Sequence, residues 1–202
     1  MRTRADTSSA FRLPPSAFTL VELLVVISII ALSLGVLMPA LGSFFSSTRG
    51  PNARNIISVS LTGARNYAVA NNITTALVFV DHDVPGDPQR TLMFLAESSD
   101  GVNFTPVTGR ESTHLPDNII VSANQNSDPD LLERNVVVCF LPTGQLSQLS
   151  GLNIAYQITL PDGSTQDRTI TSIASVPSFY LYDNTDLIEQ LRINYYTGAV
   201  IE

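Results

Sequence analysis

The chain has 202 residues, 18 acidic and 11 basic, and its net charge of −7 argues against polyanions as partners of most of its surface. This length suits one domain, or one domain with an appendage. A single cysteine, Cys139, and two histidines exclude an intramolecular disulfide, a cysteine-based zinc site, an iron–sulfur cluster and a histidine-rich metal site.

An apolar run extends from Phe18 to Leu41, with Glu22 as its only charged residue. A helix of about 20 apolar residues spans the hydrocarbon core of a bilayer, so the run predicts a membrane-spanning helix. Three arginines precede it within residues 1–17, which predicts a cytoplasmic amino terminus and an extracytoplasmic remainder. The alternative is a secretory signal peptide cut after Ala40-Leu41-Gly42, but the apolar part of such a peptide usually has only about 7–15 residues.

The carboxylate of Glu22 needs a partner, because an ionised side chain is costly inside a bilayer. No Lys or Arg lies between Glu22 and Arg49, so the helix itself supplies no cation one turn away. Cleavage before Phe18 would create an α-ammonium group close to Glu22, either in the same chain or in a neighbouring copy. A new amino terminus is therefore one candidate for the cationic partner of Glu22.

The segment Ser16–Glu22, followed by Leu23–Ile27, resembles the cleavage and methylation signature of type IV prepilins and type II secretion pseudopilins. The resemblance implies cleavage by a prepilin peptidase between Ala17 and Phe18, methylation of the new Phe18 amine, and Glu22 at the fifth mature position. Ala17 stands where the family usually has glycine.

The same helix carries further residues that we assign to assembly together with Glu22. Ala31 and Gly35 form a small-x-x-x-small pair, which allows close approach of another helix. Pro39 occupies the position of a proline found in many family members, where the loss of a backbone donor would kink or locally melt the helix. The implied partners are the prepilin peptidase, other pilin or pseudopilin subunits and the membrane.

The segment Gly42–Asn52 is polar and contains the adjacent pair Gly50-Pro51, which predicts an interruption of the helix. A second, amphipathic helix is predicted over Ala53–Asn71, ended by Asn71-Asn72. Its apolar stripe consists of Ile57, Leu61, Ala64 and Ala68.

From Thr74 onward the pattern changes to short β-rich runs separated by turn residues, which predicts antiparallel sheet. We predict a helical turn over Asp186–Gln190 and hairpin turns at Pro161-Asp162-Gly163 and Thr197-Gly198. The predicted strands are Ala76–Val80, Thr91–Ala96, Asn103–Val107, Ile119–Ser122, Val136–Leu141, Ile154–Leu160, Thr169–Ile173, Phe179–Tyr182, Leu191–Tyr195 and Ala199–Ile201.

The predicted fold class is α+β and pilin-like, with a long amino-terminal membrane-spanning helix packed on a carboxy-terminal antiparallel β-sheet domain. The corresponding divisions are a leader, a transmembrane and filament-core helix, a linker with the amphipathic continuation, and a β-rich globular domain. Their bounds are 1–17, 18–41, 42–72 and 73–202.

Four short segments resemble a subgroup of this family, the minor pseudopilin H subunit and its type IV pilus relative FimT. They are Ala64–Asn72 with the strand that follows, Leu115–Ile119, Phe140–Gly144, and the closing Ile193–Ile201 stretch. Their order along the chain carries this resemblance.

The remaining chemistry-bearing residues give no catalytic motif, and we expect neither an enzymatic activity nor a cofactor. Asp81, Asp83 and Asp87 offer oxygen ligands for Ca²⁺, although a solvated hairpin loop is the favoured interpretation. Cys139 lies in an apolar run, which predicts burial rather than reactivity.

Nucleic acid is not an expected partner, because the last 20 residues contain one arginine, Arg192, among several acidic residues. The resemblance to prepilins implies a minor pilin or pseudopilin of the inner membrane that supports protein secretion. The alternative is a membrane-anchored extracytoplasmic binding module that never enters a filament.

Overall fold

A computed structural model of the protein describes residues 19–81, 89–126, 128–160 and 162–201. The chain divides into two compact units, Met1–Phe45 and Ser46–Glu202. The first unit contains the beginning of the helix α1 (Leu20–Asn71). The second contains the rest of α1 and the strands.

The predicted interruption of the helix at Gly50-Pro51 is wrong, because α1 is helical through both residues. Pro51 has no backbone N–H, so the helix loses one hydrogen bond at this point. Tertiary contacts of the neighbouring residues compensate for that loss. Gly50 is buried, and a Cβ atom at this position would lie 3.2 Å from the side chain of Ile188. On either side, Arg49 pairs with Asp183 at 3.8 Å and Arg54 with Glu189 at 3.5 Å. Pro39 is also helical, so the predicted local melting does not occur there.

The predicted end of the helix is confirmed. Asn72 has a φ of 51°, and the Ile73 N–H donates to the carbonyl of Ala68 at 3.2 Å. This pattern is a Schellman cap, in which a left-handed residue ends the helix and an asparagine tolerates that conformation. The chain then turns directly into the first strand.

Twelve strands follow among the described residues, and each of the ten predicted strands has a counterpart. Their bounds are β1 Thr74–Asp81, β2 Thr91–Ser98, β3 Asn103–Pro106, β4 Thr113–His114, β5 Ile119–Ser122, β6 Val136–Phe140, β7 Leu146–Ser147, β8 Leu152–Thr159, β9 Thr165–Ile173, β10 Ser178–Asp183, β11 Asp186–Ile193 and β12 Val200–Ile201.

The strands form two sheets. The larger has the order β7-β6-β1-β2-β3-β8-β9 with β4 beside β2, and the smaller has the order β12-β11-β10-β5. The pairings are antiparallel except that β3 and β8 are parallel, which corrects the prediction of a purely antiparallel sheet. That parallel pairing joins the β8–β9 hairpin to the larger sheet.

The predicted helical turn at Asp186–Gln190 is wrong, because these residues belong to β11. Asn184, with a φ of 59°, provides a tight turn that lets β11 pair with β10. Cross-strand hydrogen bonds therefore override the local helical preference of this segment.

The main core lies between α1 and both sheets. The stripe residues Ile57, Leu61, Ala64 and Ala68 are at most 1% exposed, as the 3.6-residue period predicts. They pack with alternate side chains of β1, β2 and β6 and with the inner face of the smaller sheet. A second core lies on the opposite face of β1 and β2, where β8 covers them. Because β1 is covered on both faces, it is continuously apolar rather than alternating.

Arg65 joins three segments that are distant in sequence. Its Nε atom donates to the carbonyl of Gly144 at 2.9 Å, and its guanidinium reaches the carbonyl of Tyr196 at 3.5 Å. Gly144 and Gly198 have positive φ angles and press against this side chain, since a Cβ atom on Gly198 would lie 3.0 Å from Cδ of Arg65. The helix and two turns therefore meet at one arginine.

Ile57→Ala should destabilise the globular unit by about 2–5 kcal/mol, because the change leaves a cavity in a fully buried site. Val59 lies on the same helix but is 74% exposed, against 0% for Ile57, so Val59→Ala is the matched control and should change the free energy of unfolding by less than about 0.5 kcal/mol. Denaturant unfolding monitored by circular dichroism measures both values. Equal effects would show that the helical stripe does not form the core.

Candidate functional site

The first turn of α1 is closed by a reciprocal pair of hydrogen bonds between Thr19 and Glu22. The Glu22 N–H donates to Oγ1 of Thr19 at 3.2 Å. In return, Oε2 of Glu22 accepts from the N–H and from the hydroxyl of Thr19, both at 2.9 Å. This arrangement is a capping box, which satisfies donors that the start of a helix otherwise leaves unpaired.

Thr19 is therefore a site residue that the sequence analysis missed. The signal was present as Thr-x-x-Glu before an apolar run, which is the sequence pattern of a capping box. Thr19 is an uncharged partner, so the expectation that a cation for Glu22 comes from outside the local helix stays a prediction. Thr19 occupies Oε2, and the described residues offer no hydrogen-bond partner to Oε1.

The helix that follows exposes its apolar side chains on every face. Five consecutive residues, Leu23–Ile27, are 43–57% exposed, and five residues cover more than one full turn. The other large apolar residues exposed on this part of α1 are Leu20, Val21, Ile29, Ile30, Leu32, Leu34 and Leu37. A contiguous apolar surface of this kind marks an interaction site rather than an ordinary protein exterior.

The few polar side chains on this segment are bonded within the helix. The hydroxyls of Ser28 and Ser33 donate to the carbonyls of Leu24 and Ile29, each at 2.8 Å. Bonds of this kind satisfy a hydroxyl inside an apolar environment. Glu22 is the only charged residue among the described residues from Thr19 to Thr48. Across the part of the chain that the structure describes, no helix combines the length and the mean hydropathy needed to cross a membrane.

Of the remaining residues assigned to processing and assembly, Ala31 and Gly35 are exposed on α1, and a Cβ atom at Gly35 would have no neighbour within 4 Å. Pro39 is four residues after Gly35, so the donor that it lacks is the one that would reach the Gly35 carbonyl. Ala17 and Phe18 lie outside the described residues.

The proposed calcium ligands lie only partly within the described residues. Asp81 ends β1 and pairs with Arg134, whose NH1 lies 2.7 Å from its Oδ2. Asp83 and Asp87 lie outside the described residues. Among those described, no group of three or more His, Cys, Asp or Glu side chains could hold a metal ion.

The predicted burial of Cys139 is confirmed. Its side chain lies in the second core, and burial raises the pKa of its thiol to about 12. A thiol that stays protonated at neutral pH is a poor nucleophile. The side chain of Cys139 therefore contributes to the packing of the second core.

Comparison with protein families identifies the amino-terminal segment. Residues 15–38 match the family model described as the prokaryotic N-terminal methylation motif. The chain carries a type IV prepilin-like signature. The match includes Ala17, Phe18, Glu22, Ala31 and Gly35, and Pro39 lies one residue beyond it. Comparisons with curated proteins and with solved structures gave no match.

Thr19→Val should weaken the start of the helix, because valine keeps the side-chain shape but removes the acceptor for the Glu22 N–H and the hydroxyl donor to Glu22. We expect backbone amide exchange at Glu22 to accelerate about fivefold, the effect of losing a typical amino-terminal cap. Thr62→Val is the control, because the Thr62 hydroxyl only bonds the Ser58 carbonyl within the same helix. Hydrogen–deuterium exchange of the full chain in detergent micelles measures both. Unchanged exchange at Glu22 would show that the capping box does not hold this turn.

Proposed function

We propose that this protein is a minor pilin or pseudopilin, a structural subunit that a prepilin peptidase cleaves before Phe18 and that assembles through α1 into a type II secretion pseudopilus or a type IV pilus-like filament. In this role it supports protein secretion and has no enzymatic activity. Before assembly, the segment 18–41 anchors the chain in the inner membrane and the globular unit is extracytoplasmic.

The observation that carries this proposal is the methylation motif over residues 15–38, because it joins a processing signal to an assembly helix in one segment. The exposed apolar side chains of that helix supply the physical reason for assembly. Burying one large apolar side chain contributes about 1.5–3 kcal/mol, and a dozen of them are exposed here. Because these side chains are exposed on every face of the helix, burying all of them requires lipid or several neighbouring helices.

Glu22 gives the assembly its register. In the proposed filament the carboxylate is surrounded by apolar side chains, where an unpaired charge is strongly unfavourable. Its Oε2 is held by Thr19, and we assign its Oε1 to the ammonium group of Phe18 in a neighbouring subunit. Glu22 is the only charged side chain on this stretch, so the ammonium group of a neighbouring subunit has a single carboxylate with which to pair. This pairing fixes the register of adjacent helices.

The small residues Ala31 and Gly35 support close packing in the same filament. They are one helical turn apart, so they lie on one face of α1 and let another backbone approach. The alternative function, a membrane-anchored binding module, also uses the apolar helix, but it gives Glu22 no intermolecular partner. The pairing of Glu22 is therefore the point at which the two functions differ.

Glu22→Gln and Glu22→Ala should each reduce incorporation into filaments about tenfold or more, because removing one partner of a desolvated ion pair leaves the other charge unpaired. The globular unit and insertion of the precursor should be unaffected. Glu133→Gln, at an exposed position of the globular unit, is the matched control and should incorporate like the wild type. Incorporation is measured in sheared filaments as the amount of each variant that crosslinks to the major subunit. Normal incorporation of both Glu22 variants would contradict the pairing and favour the anchored binding module.

A further inference from the structure

A groove of about 630 Å³ opens at the point where β3 and β8 separate. Its floor is formed by Phe94 of β2 and Tyr156 of β8, whose rings are stacked with centroids 5.3 Å apart. Both side chains are largely buried, so the floor is fixed by the second core. The walls come from β9 and from the segment after β3, which contribute Arg168 and Arg110.

Beyond Ile154, one edge of β8 faces this groove without a strand partner among the described residues. Strand β8 pairs with β9 at seven residue pairs, from Leu152↔Ile173 to Thr159↔Thr165. On its other side it pairs with β3 at two positions only, Asn103↔Asn153 and Phe104↔Ile154. In the part of the chain that the structure describes, residues 155–159 therefore pair on one side alone.

Pro106 explains why the parallel ladder stops. The Asn153 N–H donates to the carbonyl of Val102 at 2.9 Å, which shows that odd-numbered residues of β8 direct their backbone groups toward β3. The next such residue is Ala155, and continuing the ladder would require the N–H of residue 106. Proline has none, and β3 ends there. The backbone groups of Ala155 and Gln157 are thus directed at the groove.

The charge of the groove is opposite to that of the whole chain. Arg110 and Arg168 line it, against one carboxylate, Asp167, which accepts a hydrogen bond from Gln157 at 2.8 Å. Arg110 lies over the ring of Tyr67, 5.5 Å from its centroid, and Arg168 bonds the amide oxygen of Gln166 at 3.4 Å.

Neither arginine forms an ion pair with a described carboxylate. Among the described residues elsewhere in the same unit, acidic side chains pair with Arg49, Arg54, Arg90 and Arg134. Two unneutralised guanidinium groups in an acidic protein are available to an anionic ligand.

We propose that this groove binds an extended acidic segment of a partner polypeptide, which adds to the open edge of β8 at residues 155–159 and pairs its carboxylates with Arg110 and Arg168. The backbone hydrogen bonds supply affinity, and alternate side chains meet the aromatic floor and the arginines. Two cations beside an aspartate do not form the continuous positive track that a nucleic acid backbone requires. The proposal concerns the globular unit and stands whether or not residues 18–41 enter a filament.

The test uses the full chain in detergent micelles and fluorescein-labelled peptides of alternating residues, (Val-Glu)4 and (Val-Lys)4. Fluorescence anisotropy should detect saturable binding of (Val-Glu)4 and at least tenfold weaker binding of (Val-Lys)4. The double variant R110E/R168E should lose at least tenfold in affinity for (Val-Glu)4. Arg192→Glu, an exposed charge reversal on β11 outside the groove, is the matched control and should bind like the wild type.

Strand addition is tested on the peptide rather than on the protein, which avoids any effect on folding. Two N-methylated forms of (Val-Glu)4 are compared. One is methylated at every valine nitrogen and the other at every glutamate nitrogen, so each form lacks the hydrogen-bond donors along one edge of the extended peptide. One form should lose binding and the other should retain it. A photoreactive benzophenone side chain in the unmodified peptide should crosslink to residues 155–159 or to Arg110, as mapped by mass spectrometry.

Several outcomes would overturn the proposal. They are equal binding of (Val-Lys)4, undiminished binding by a folded R110E/R168E variant, full binding by both N-methylated peptides, and crosslinks confined to other surfaces. Preferential binding of a single-stranded oligonucleotide would assign the groove to nucleic acid. Self-association abolished by R110E/R168E would assign it to a second copy of the chain. If the double variant does not fold, the crosslink positions and the N-methylated peptides decide the question.

Discussion

The helix α1 carries two apolar surfaces, and the chain itself buries only one of them. From Ala53 to Ala68, apolar side chains on one face are enclosed by the two sheets, and alanines at three of these positions let the backbone approach the strands closely. From Leu20 to Leu37, apolar side chains are exposed on all faces. The first surface makes the fold, and the second requires lipid or other subunits, which is the physical basis of the proposed assembly.

The charged residues follow the same division of roles. On the exposed apolar stretch, Glu22 stands alone and is held by Thr19, so it can specify one intermolecular contact. In the globular unit, most arginines fasten the helix and loops through ion pairs or, at Arg65, through carbonyls of two turns. Arg110 and Arg168 form no ion pair with a described carboxylate, and both line the groove beside the open edge of β8. Unneutralised charges that line a groove, unlike the isolated exposed Arg192, therefore indicate a partner.

Much of the fold could be predicted from the sequence, because the spacing of apolar residues along the chain indicates which side chains are buried. The stripe from Ile57 to Ala68 and the short apolar runs identified the packed helix and the ten strands. The errors fall where distant contacts override local preference, at Gly50-Pro51 and in Asp186–Gln190, and at the parallel β3–β8 pairing, which no local pattern encodes.

In the candidate site, Glu22 was recognisable from the sequence as a lone charge. Its capping partner Thr19 was a local signal that was missed, whereas the convergence on Arg65 and the groove depends on tertiary structure.

The most direct test of the central claim is the amino terminus of the protein recovered from sheared filaments of the native cell. Trypsin should release a peptide from Phe18 to Arg49, because no Lys or Arg lies between them. Mass spectrometry of the filament fraction should find this peptide with a methylated Phe18 amine, together with peptides of the globular unit. A mature chain that begins at Ser43 would indicate a secretory signal peptide. A chain that retains Met1 and occurs only in the membrane fraction would contradict processing and assembly alike.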